Sequence, residues 1–213
     1  MSGCRGQSLT IRTFIILFTT RPNIHNNNFI PMYKTFLTLI LASGLMGGHQ
    51  ASNVFCQNKK VLPQSKHLYD SEVHSLSLAQ LQTIMLDYIN SIRKEHKLPP
   101  FRMIDLPLAQ EHSKYLSESG EDKELDWNDH FDAEGRSIFM RMEATKILFT
   151  DVGENIVTVP PRATVRQLVD AWMGSTMGHR EALLSSIYKQ VMIGHHPGSN
   201  NVVLDFVTLY KEK

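Results

Sequence analysis

Three side chains in this sequence could act together on a ligand, a metal ion or a substrate. Glu154 stands in a short segment rich in β-branched residues, and His179 opens a later helical pattern. His130 lies in the polar, turn-rich stretch of residues 128–132, where an imidazole is expected to be accessible. Neutral imidazole binds zinc or copper and accepts protons near neutral pH. One carboxylate and two histidines therefore suit either a metal site or an acid/base site. Their spacing does not show which of the two kinds of site they form.

Each of these side chains also has a purely structural interpretation. His130 has acidic neighbours in a polar stretch, a local context that favours a solvated loop histidine. His179 could be a surface residue at the start of a helix. Glu154 could instead form an ion pair with an arginine such as Arg136, Arg141 or Arg180, or accept a hydrogen bond from a neighbouring backbone N–H.

The sequence lacks the spaced motifs that would decide between these chemistries. It contains no His-Glu-x-x-His pair and no Cys-x-x-Cys pair, so spacing alone places no metal ligands on one face. Ser175 and Ser185 lie outside a Gly-x-Ser-x-Gly elbow, which leaves a hydrolase triad without support. His195 and His196 are adjacent in a turn-rich segment, and adjacent strand residues point to opposite faces. They are interpreted as turn residues.

Helical periodicity predicts the elements in the first half of the domain. Ser77 and Gln80 have the capping-box spacing, and apolar residues then recur at helical intervals until Pro99. Asp105 is expected to cap a second helix, which carries His112 on its apolar stripe. A histidine on such a stripe is more often a packed core residue than a ligand, and we interpret His112 in that way.

The second half of the domain has more β character. Residues 152–159 predict a strand with Glu154 near its start, and Thr164 begins another capped helix. Residues 190–194 and 201–210 predict a hairpin across a turn cluster. These elements together predict an α+β domain, in which helices cover both faces of a small, mostly antiparallel sheet.

Length and charge limit the classes of protein to consider. The chain has 213 residues, enough for one domain with a substantial core. Its 22 basic and 21 acidic residues leave a formal net charge of +1, and no basic block with interleaved aromatic residues occurs. Nucleic acid is therefore not an expected partner.

The N-terminal region has the layout of an export signal. Starting at Met32, Lys34 precedes an apolar run, which is followed by small and polar residues. The run is shorter than the ~20 residues that span a bilayer, so a cleaved signal is favoured over a membrane anchor. We expect an upstream extension at 1–31, a signal peptide or N-terminal anchor at 32–51, a linker at 52–76 and the folded domain at 77–213. The predicted location is secreted or in the cell envelope.

The domain resembles the CAP superfamily, whose common module is also called the SCP domain, and in particular its bacterial secreted branch. The resemblance runs from about residue 78 to residue 210, and its pieces occur in the family's order. These pieces are Asn90-x-x-Arg93, Leu98-Pro99, Leu108-Ala109-x-x-His112-Ser113, His130, Gly153-Glu154-Asn155-Ile156, Trp172-Met173-x-Ser175, His179-Arg180 and Ile193-Gly194.

The resemblance implies a three-layer α-β-α sandwich with a central cleft. His130 and His179 would be the cleft histidines, which could hold a metal ion such as zinc, and Glu154 would be the cleft carboxylate. Many eukaryotic members have a second glutamate three residues after the helix tryptophan, where this chain has Ser175. The acidic part of the implied site is therefore incomplete here.

The leading functional hypothesis is a secreted module whose cleft binds a divalent metal or a small or lipidic ligand. One alternative is a peptidase-like hydrolase that uses a metal or Glu154. Another is a structural or interaction domain at the cell envelope, with an envelope component as its partner. The resemblance implies no uniform reaction, and the sequence has no nucleophile motif, so whether the protein is an enzyme stays open.

Overall fold

Helices and strands are interspersed along the chain. The computed structural model describes residues 18–19, 64–120, 125 and 127–210. Their helices are α1 (Leu78–Glu95), α2 (Leu108–Glu118), α3 (Ile138–Ala144), α4 (Val165–Gly174) and α5 (His179–Leu183). Their strands are β1 (Phe18–Thr19), β2 (Arg102–Met103), β3 (Phe149–Thr158), β4 (Gln190–Gly194) and β5 (Asn201–Leu209). Short 3-10 helices cover Gln64–Asp70, Val73–Ser75 and Trp127–His130.

The predicted first helix is confirmed as α1. The Ser77 hydroxyl accepts a hydrogen bond from the Gln80 backbone N–H at 3.3 Å, and the Gln80 side chain accepts one from the Ser77 N–H at 2.9 Å. Each bond satisfies an N–H that the first turn would otherwise leave unpaired. Leu81, Met85 and Ile89 then lie buried on one face of the helix.

The second helix begins later than the Asp105 pattern predicts. Pro107 occupies the N-cap position, and no side chain caps α2. Proline is tolerated here because the N–H groups of the first turn have no partner within the helix. Asp105 is exposed before this start, whereas His112 lies on the buried face, as expected.

The strands form one mixed sheet in the order β1-β3-β5-β4-β2. β3 pairs antiparallel with β5, and β5 pairs antiparallel with β4, so the predicted C-terminal hairpin is confirmed. β2 runs parallel to β4. Most of the pairing is therefore antiparallel, as the sequence predicts.

Two apolar cores lie on opposite faces of this sheet. One contains buried side chains of α1, α4 and α5 together with Val157 of β3 and Leu204 of β5. The other contains side chains of α2 and α3 together with Val152 and Ile156 of β3. Because successive strand residues point to opposite faces, β3 contributes to both cores. The α-β-α sandwich is thus confirmed.

The last part of the predicted linker packs against the domain. Tyr69 and Val73 are buried in the core shared by α1 and α4. The Val73 backbone N–H donates to the Ala163 carbonyl at 2.9 Å, just before α4. These two apolar residues stand in a polar stretch without a clear period, so the sequence pattern gave no signal for their burial.

Two residues of the predicted upstream extension also lie in the sheet. Phe18 pairs with Val152, and Thr19 pairs with Asp151. The predicted signal at 32–51 lies outside the described residues, and its prediction is untested. None of the described helices is long and apolar enough to cross a membrane.

Candidate functional site

A buried hydrogen-bonded cluster surrounds Glu154 in the middle of β3. Glu154 shares a face of the sheet with Val152 and Ile156, the face covered by α2 and α3. Its carboxylate accepts a hydrogen bond from His130 Nδ1 at 2.8 Å and another from Arg141 Nη2 at 2.5 Å. All three side chains are buried. The structure thus joins two of the three predicted site residues and adds an arginine.

The elements that carry these residues explain their positions. His130 ends the 3-10 helix Trp127–His130, and this helix brings it inside the domain. Arg141 and Met142 follow Ile138 by three and four positions, so all three side chains lie on one face of the helix. That face of α3 is buried, so the Arg141 guanidinium points toward β3.

His112 on α2 is the fourth member of the cluster. Its Nε2 lies 2.7 Å from the Asp129 carbonyl oxygen and 3.9 Å from Glu154 Oε2. A carbonyl oxygen only accepts, so Nε2 carries the hydrogen and Nδ1 of the neutral ring is an acceptor. Burial lowers the pKa of His112, and the charge of Glu154 opposes this effect in part. The ring is therefore neutral at physiological pH.

The charge state of Glu154 follows from its neighbours. Burial alone would raise the pKa of this carboxyl, but the charge of Arg141 and the hydrogen bond from His130 hold it well below its usual range. Glu154 in turn helps to raise the pKa of Arg141, against the effect of burial. The cluster thus contains an ionised carboxylate bound to a guanidinium, one of the ion pairs that the sequence left open.

His179 lies in the layer on the other face of the sheet. Asn155, the neighbour of Glu154 on β3, donates from Nδ2 to the His179 carbonyl at 3.3 Å. The His179 Nδ1 atom lies 2.6 Å from the Ser175 hydroxyl. The hydroxyl at the position where the resemblance implies a glutamate in many eukaryotic members is therefore a hydrogen-bonding partner of this histidine.

The described side chains do not present a zinc-binding set. No three of their His, Cys, Asp or Glu residues form a group that could hold a metal ion. His130 Nδ1 is engaged by Glu154, whose other oxygen is engaged by Arg141. Zinc binding through His130 and His179 stays a prediction. Calorimetric titration of the wild type against a His130→Ala/His179→Ala double variant tests it, and equal affinities would contradict it.

A cavity of about 410 Å³ opens beside the cluster. Leu108, His112 and Tyr115 of α2 form one wall, and Arg141 and Ala144 of α3 form another. The predicted residues at positions 130, 154 and 179 are not among those that line it. Two members of the buried cluster thus reach a space large enough for a small organic molecule.

Polar atoms beside this cavity have unused hydrogen-bonding capacity. Nε and Nη1 of Arg141 are buried and meet no acceptor among the described residues. His112 Nδ1 is also buried and meets no donor there. Buried polar groups are normally satisfied, and exceptions point to water or a ligand. The two residues that carry these atoms line the cavity, and the atoms themselves lie just behind its surface with almost no exposure to solvent.

Sequence reasoning named Arg141 only as one of three possible ion-pair partners of Glu154, and it gave Asp205 no role. Arg141 recurs at the helical spacing of the buried residues Ile138 and Met142, so a charge on an apolar stripe was its signal. Asp205 interrupts the apolar run of β5 and stands directly opposite Glu154 on the neighbouring strand β3. A single charged residue inside an otherwise apolar pattern was thus the common indication of both.

Comparisons with known proteins fit this architecture. The profile of the CAP family, described as the cysteine-rich secretory protein family, matches residues 86–210, more than half of the chain. No curated protein matches the chain.

Several solved bacterial structures are similar to this chain. An outer surface protein from Borrelia burgdorferi is 18% identical with a TM-score of 0.51, and the match covers 63% of this chain and 97% of that one. An extracellular protein containing an SCP domain from Bacillus anthracis is 21% identical with a TM-score of 0.49, over 62% of this chain and 44% of that one. A cysteine-rich secretory protein from Staphylococcus aureus is 19% identical with a TM-score of 0.47, over 61% and 38%. This chain thus spans less than half of the Bacillus and Staphylococcus chains. At these identities the Borrelia match supports the fold alone.

Proposed function

The chain belongs to the cysteine-rich secretory protein (CAP) family, and we propose that its domain is an extracytoplasmic module that binds a small, neutral ligand. The ligand occupies the cavity beside His112 and Arg141. The extracytoplasmic location is supported by the signal-like segment at 32–51 and by the extracellular or outer-surface relatives. The observation that carries the proposal is the unused hydrogen-bonding capacity of two buried residues that line one cavity.

The pattern of donors and acceptors suits a hydroxyl group on an apolar body. Arg141 offers N–H donors without an acceptor, and His112 Nδ1 is an acceptor without a donor. The oxygen of a ligand hydroxyl accepts a hydrogen bond from Arg141, while its hydrogen is donated to His112 Nδ1. The apolar part of the ligand lies against Leu108 and Tyr115 of α2.

The surrounding charges favour a neutral ligand over an anion. The Arg141 guanidinium is already bound to Glu154 at 2.5 Å. At the rim of the cavity, Arg136 pairs with Asp132 and Glu134 at 2.8 and 2.9 Å. Both arginines among the described residues that line the cavity have carboxylate partners, so none of these described cations is left to bind an anion there.

Two model compounds test this proposal directly. Binding of 1-octanol and of octyl methyl ether is measured by amide chemical-shift changes, with shifts expected around Leu108 and Tyr115. The ether lacks the hydroxyl hydrogen, so it should bind about fivefold more weakly, the equivalent of one net hydrogen bond of ~1 kcal/mol. Equal affinities for the two compounds would contradict the assigned role of the hydroxyl.

A cavity-filling variant tests the location. Ala144→Trp places a large side chain in the cavity wall and should abolish octanol binding. Glu143→Trp changes the exposed neighbour on the same helix, which does not line the cavity, and should bind octanol like the wild type. Binding that survives Ala144→Trp would place the ligand elsewhere. Absence of any binding to the wild type would instead favour a structural or interaction domain.

The geometry gives less support to a hydrolase that uses Glu154 as a base. A general base works best when its pKa lies near the operating pH. Arg141 and His130 bind the Glu154 carboxylate and keep its pKa low, and the residue is fully buried. An engaged, inaccessible carboxylate is poorly placed to activate water, so a binding role is favoured.

A further inference from the structure

Asp205 lies at the centre of the sheet, directly beside the site. It stands opposite Glu154 in the β3–β5 pairing and opposite Met192 in the β4–β5 pairing. Directly opposed residues of antiparallel strands share one face, with their Cβ atoms about 4.5–5.5 Å apart. Asp205 and Glu154 are both fully buried. Two carboxyl groups are thus held next to each other away from solvent.

The Asp205 carboxyl lacks the partners that a buried carboxylate requires. Neither of its oxygens receives a hydrogen bond from an N–H or O–H group of the described residues. Glu154, by contrast, accepts from both His130 and Arg141. An ionised carboxylate without donors is strongly disfavoured in a protein interior. The neutral acid has no such penalty, and its O–H can itself donate.

The charges around Asp205 support the neutral form. Glu154 faces it from β3 and Arg141 from α3, while β4 contributes the uncharged Met192. The histidines near Glu154 are His112 from α2 and His130, and His112 is neutral. The positive charge of Arg141 thus balances the negative charge of Glu154. Burial and the charge of Glu154 raise the pKa of Asp205 well above its usual value, and Arg141 opposes this only in part.

We propose that Asp205 is the second acid of this site, a protonated carboxyl that donates a hydrogen bond to Glu154 and holds it in position. Ser175, at the end of α4, stands where the resemblance implies an acid. Asp205 of β5 supplies a carboxyl on the opposite face of the sheet, the face that α2 and α3 cover. Asp205 is a positioning residue: it acts through Glu154, whose orientation sets the places of Arg141 and His130.

The pH dependence of unfolding tests this assignment. An aspartate in the unfolded chain loses its proton near pH 4, whereas the folded protein keeps it. The unfolded state then binds fewer protons, so the contribution of Asp205 to stability falls as the pH rises above about 4. Asp205→Asn retains a donor without a titrating proton. Relative to this variant, the wild-type unfolding constant should rise by up to about tenfold per pH unit above pH 4.

Control variants separate this effect from general destabilisation. Asp105→Asn replaces an exposed aspartate and should keep the pH dependence of the wild type. Asp205→Ala removes the donor and should be less stable than Asp205→Asn at every pH. Parallel pH profiles of the wild type and Asp205→Asn between pH 4 and 8 would overturn the proposal.

Infrared spectroscopy of the wild type decides the question even if the Asp205 variants do not fold. Protein labelled with ¹³C-carboxyl aspartate should show the C=O band of a buried carboxylic acid at pH 7. In a folded Asp205→Asn protein this band should be lost. If all aspartates of the wild type are ionised at pH 7, Asp205 is not a donor and the proposal fails.

Discussion

Glu154 can be ionised inside the domain only because its two oxygens have strong partners. Removing an ion from water costs several kcal/mol, and this cost is offset only by close, well-satisfied pairing. Arg141 supplies the opposite charge and His130 a second hydrogen bond. The cluster is therefore sensitive to the loss of any one partner.

Replacing Arg141 should reveal this dependence. Arg141→Met leaves the Glu154 charge buried without compensation, and we expect a loss of about 3–5 kcal/mol in the free energy of unfolding. Urea denaturation measures the loss. The double variant Arg141→Met/Glu154→Gln removes both charges and should recover part of this stability.

The matched control is Arg136, whose side chain is 42% exposed and pairs with Asp132 and Glu134. Ion pairs of this exposed kind contribute about 0–1 kcal/mol, so Arg136→Met should have little effect. Similar losses for Arg136→Met and Arg141→Met would show that the buried pair has no special role.

At the level of elements, α2 reaches the site because it lies very close to β4. A Cβ atom on Gly194 would come within 2.1 Å of the Ala109 carbonyl oxygen. Only glycine allows this approach, and it sets the position of His112, which follows Ala109 by one turn. The contact between α2 and β4 thus places one wall of the cavity.

Gly194→Ala should displace α2 from the sheet. Forcing an additional methyl group into a close-packed contact typically costs about 1–3 kcal/mol, and here the obstacle is rigid backbone. Thermal unfolding should show the loss, and octanol binding should weaken with it. In Gly174→Ala, where the new Cβ meets no atom within 4 Å, both properties should be nearly unchanged. An equally mild effect at Gly194 would mean that α2 is not held by this approach.

On the scale of the whole molecule, the sheet separates the predicted site residues. Glu154 and His130 lie on the α2–α3 face, whereas His179 belongs to the layer of α4 and α5. At the edge of the sheet, β1 from the predicted upstream extension pairs with β3. Removal of a signal segment that ends near residue 51 would remove this strand as well.

The mature N-terminus is therefore a direct test of the predicted organisation. Intact-mass measurement of the exported protein should give a chain that begins after Met32, near residue 51. The folded domain should unfold with the same midpoint as a protein produced without residues 1–51. A mature N-terminus before Met32 would contradict the predicted start and retain β1.

Local sequence patterns determined the elements and the family. Capping boxes at Ser77 and Thr164, apolar periodicity and the terminal turn cluster predicted α1, α4 and the hairpin, because these signals depend on neighbouring residues. The ordered family motifs predicted the α-β-α sandwich. They also drew attention to Glu154 and His130, which the fold joins at 2.8 Å.

Only the tertiary structure decided which partners each candidate has. The pairing of Glu154 with Arg141, its position opposite Asp205 and the placement of His179 in another layer depend on strand register and helix packing. These contacts join residues that are distant in sequence, so no local pattern encodes them. The sequence by itself therefore determined the fold and the identity of the candidate residues. The long-range packing of α2, α3 and β5 around β3 decided the charges, the hydrogen bonds and the cavity.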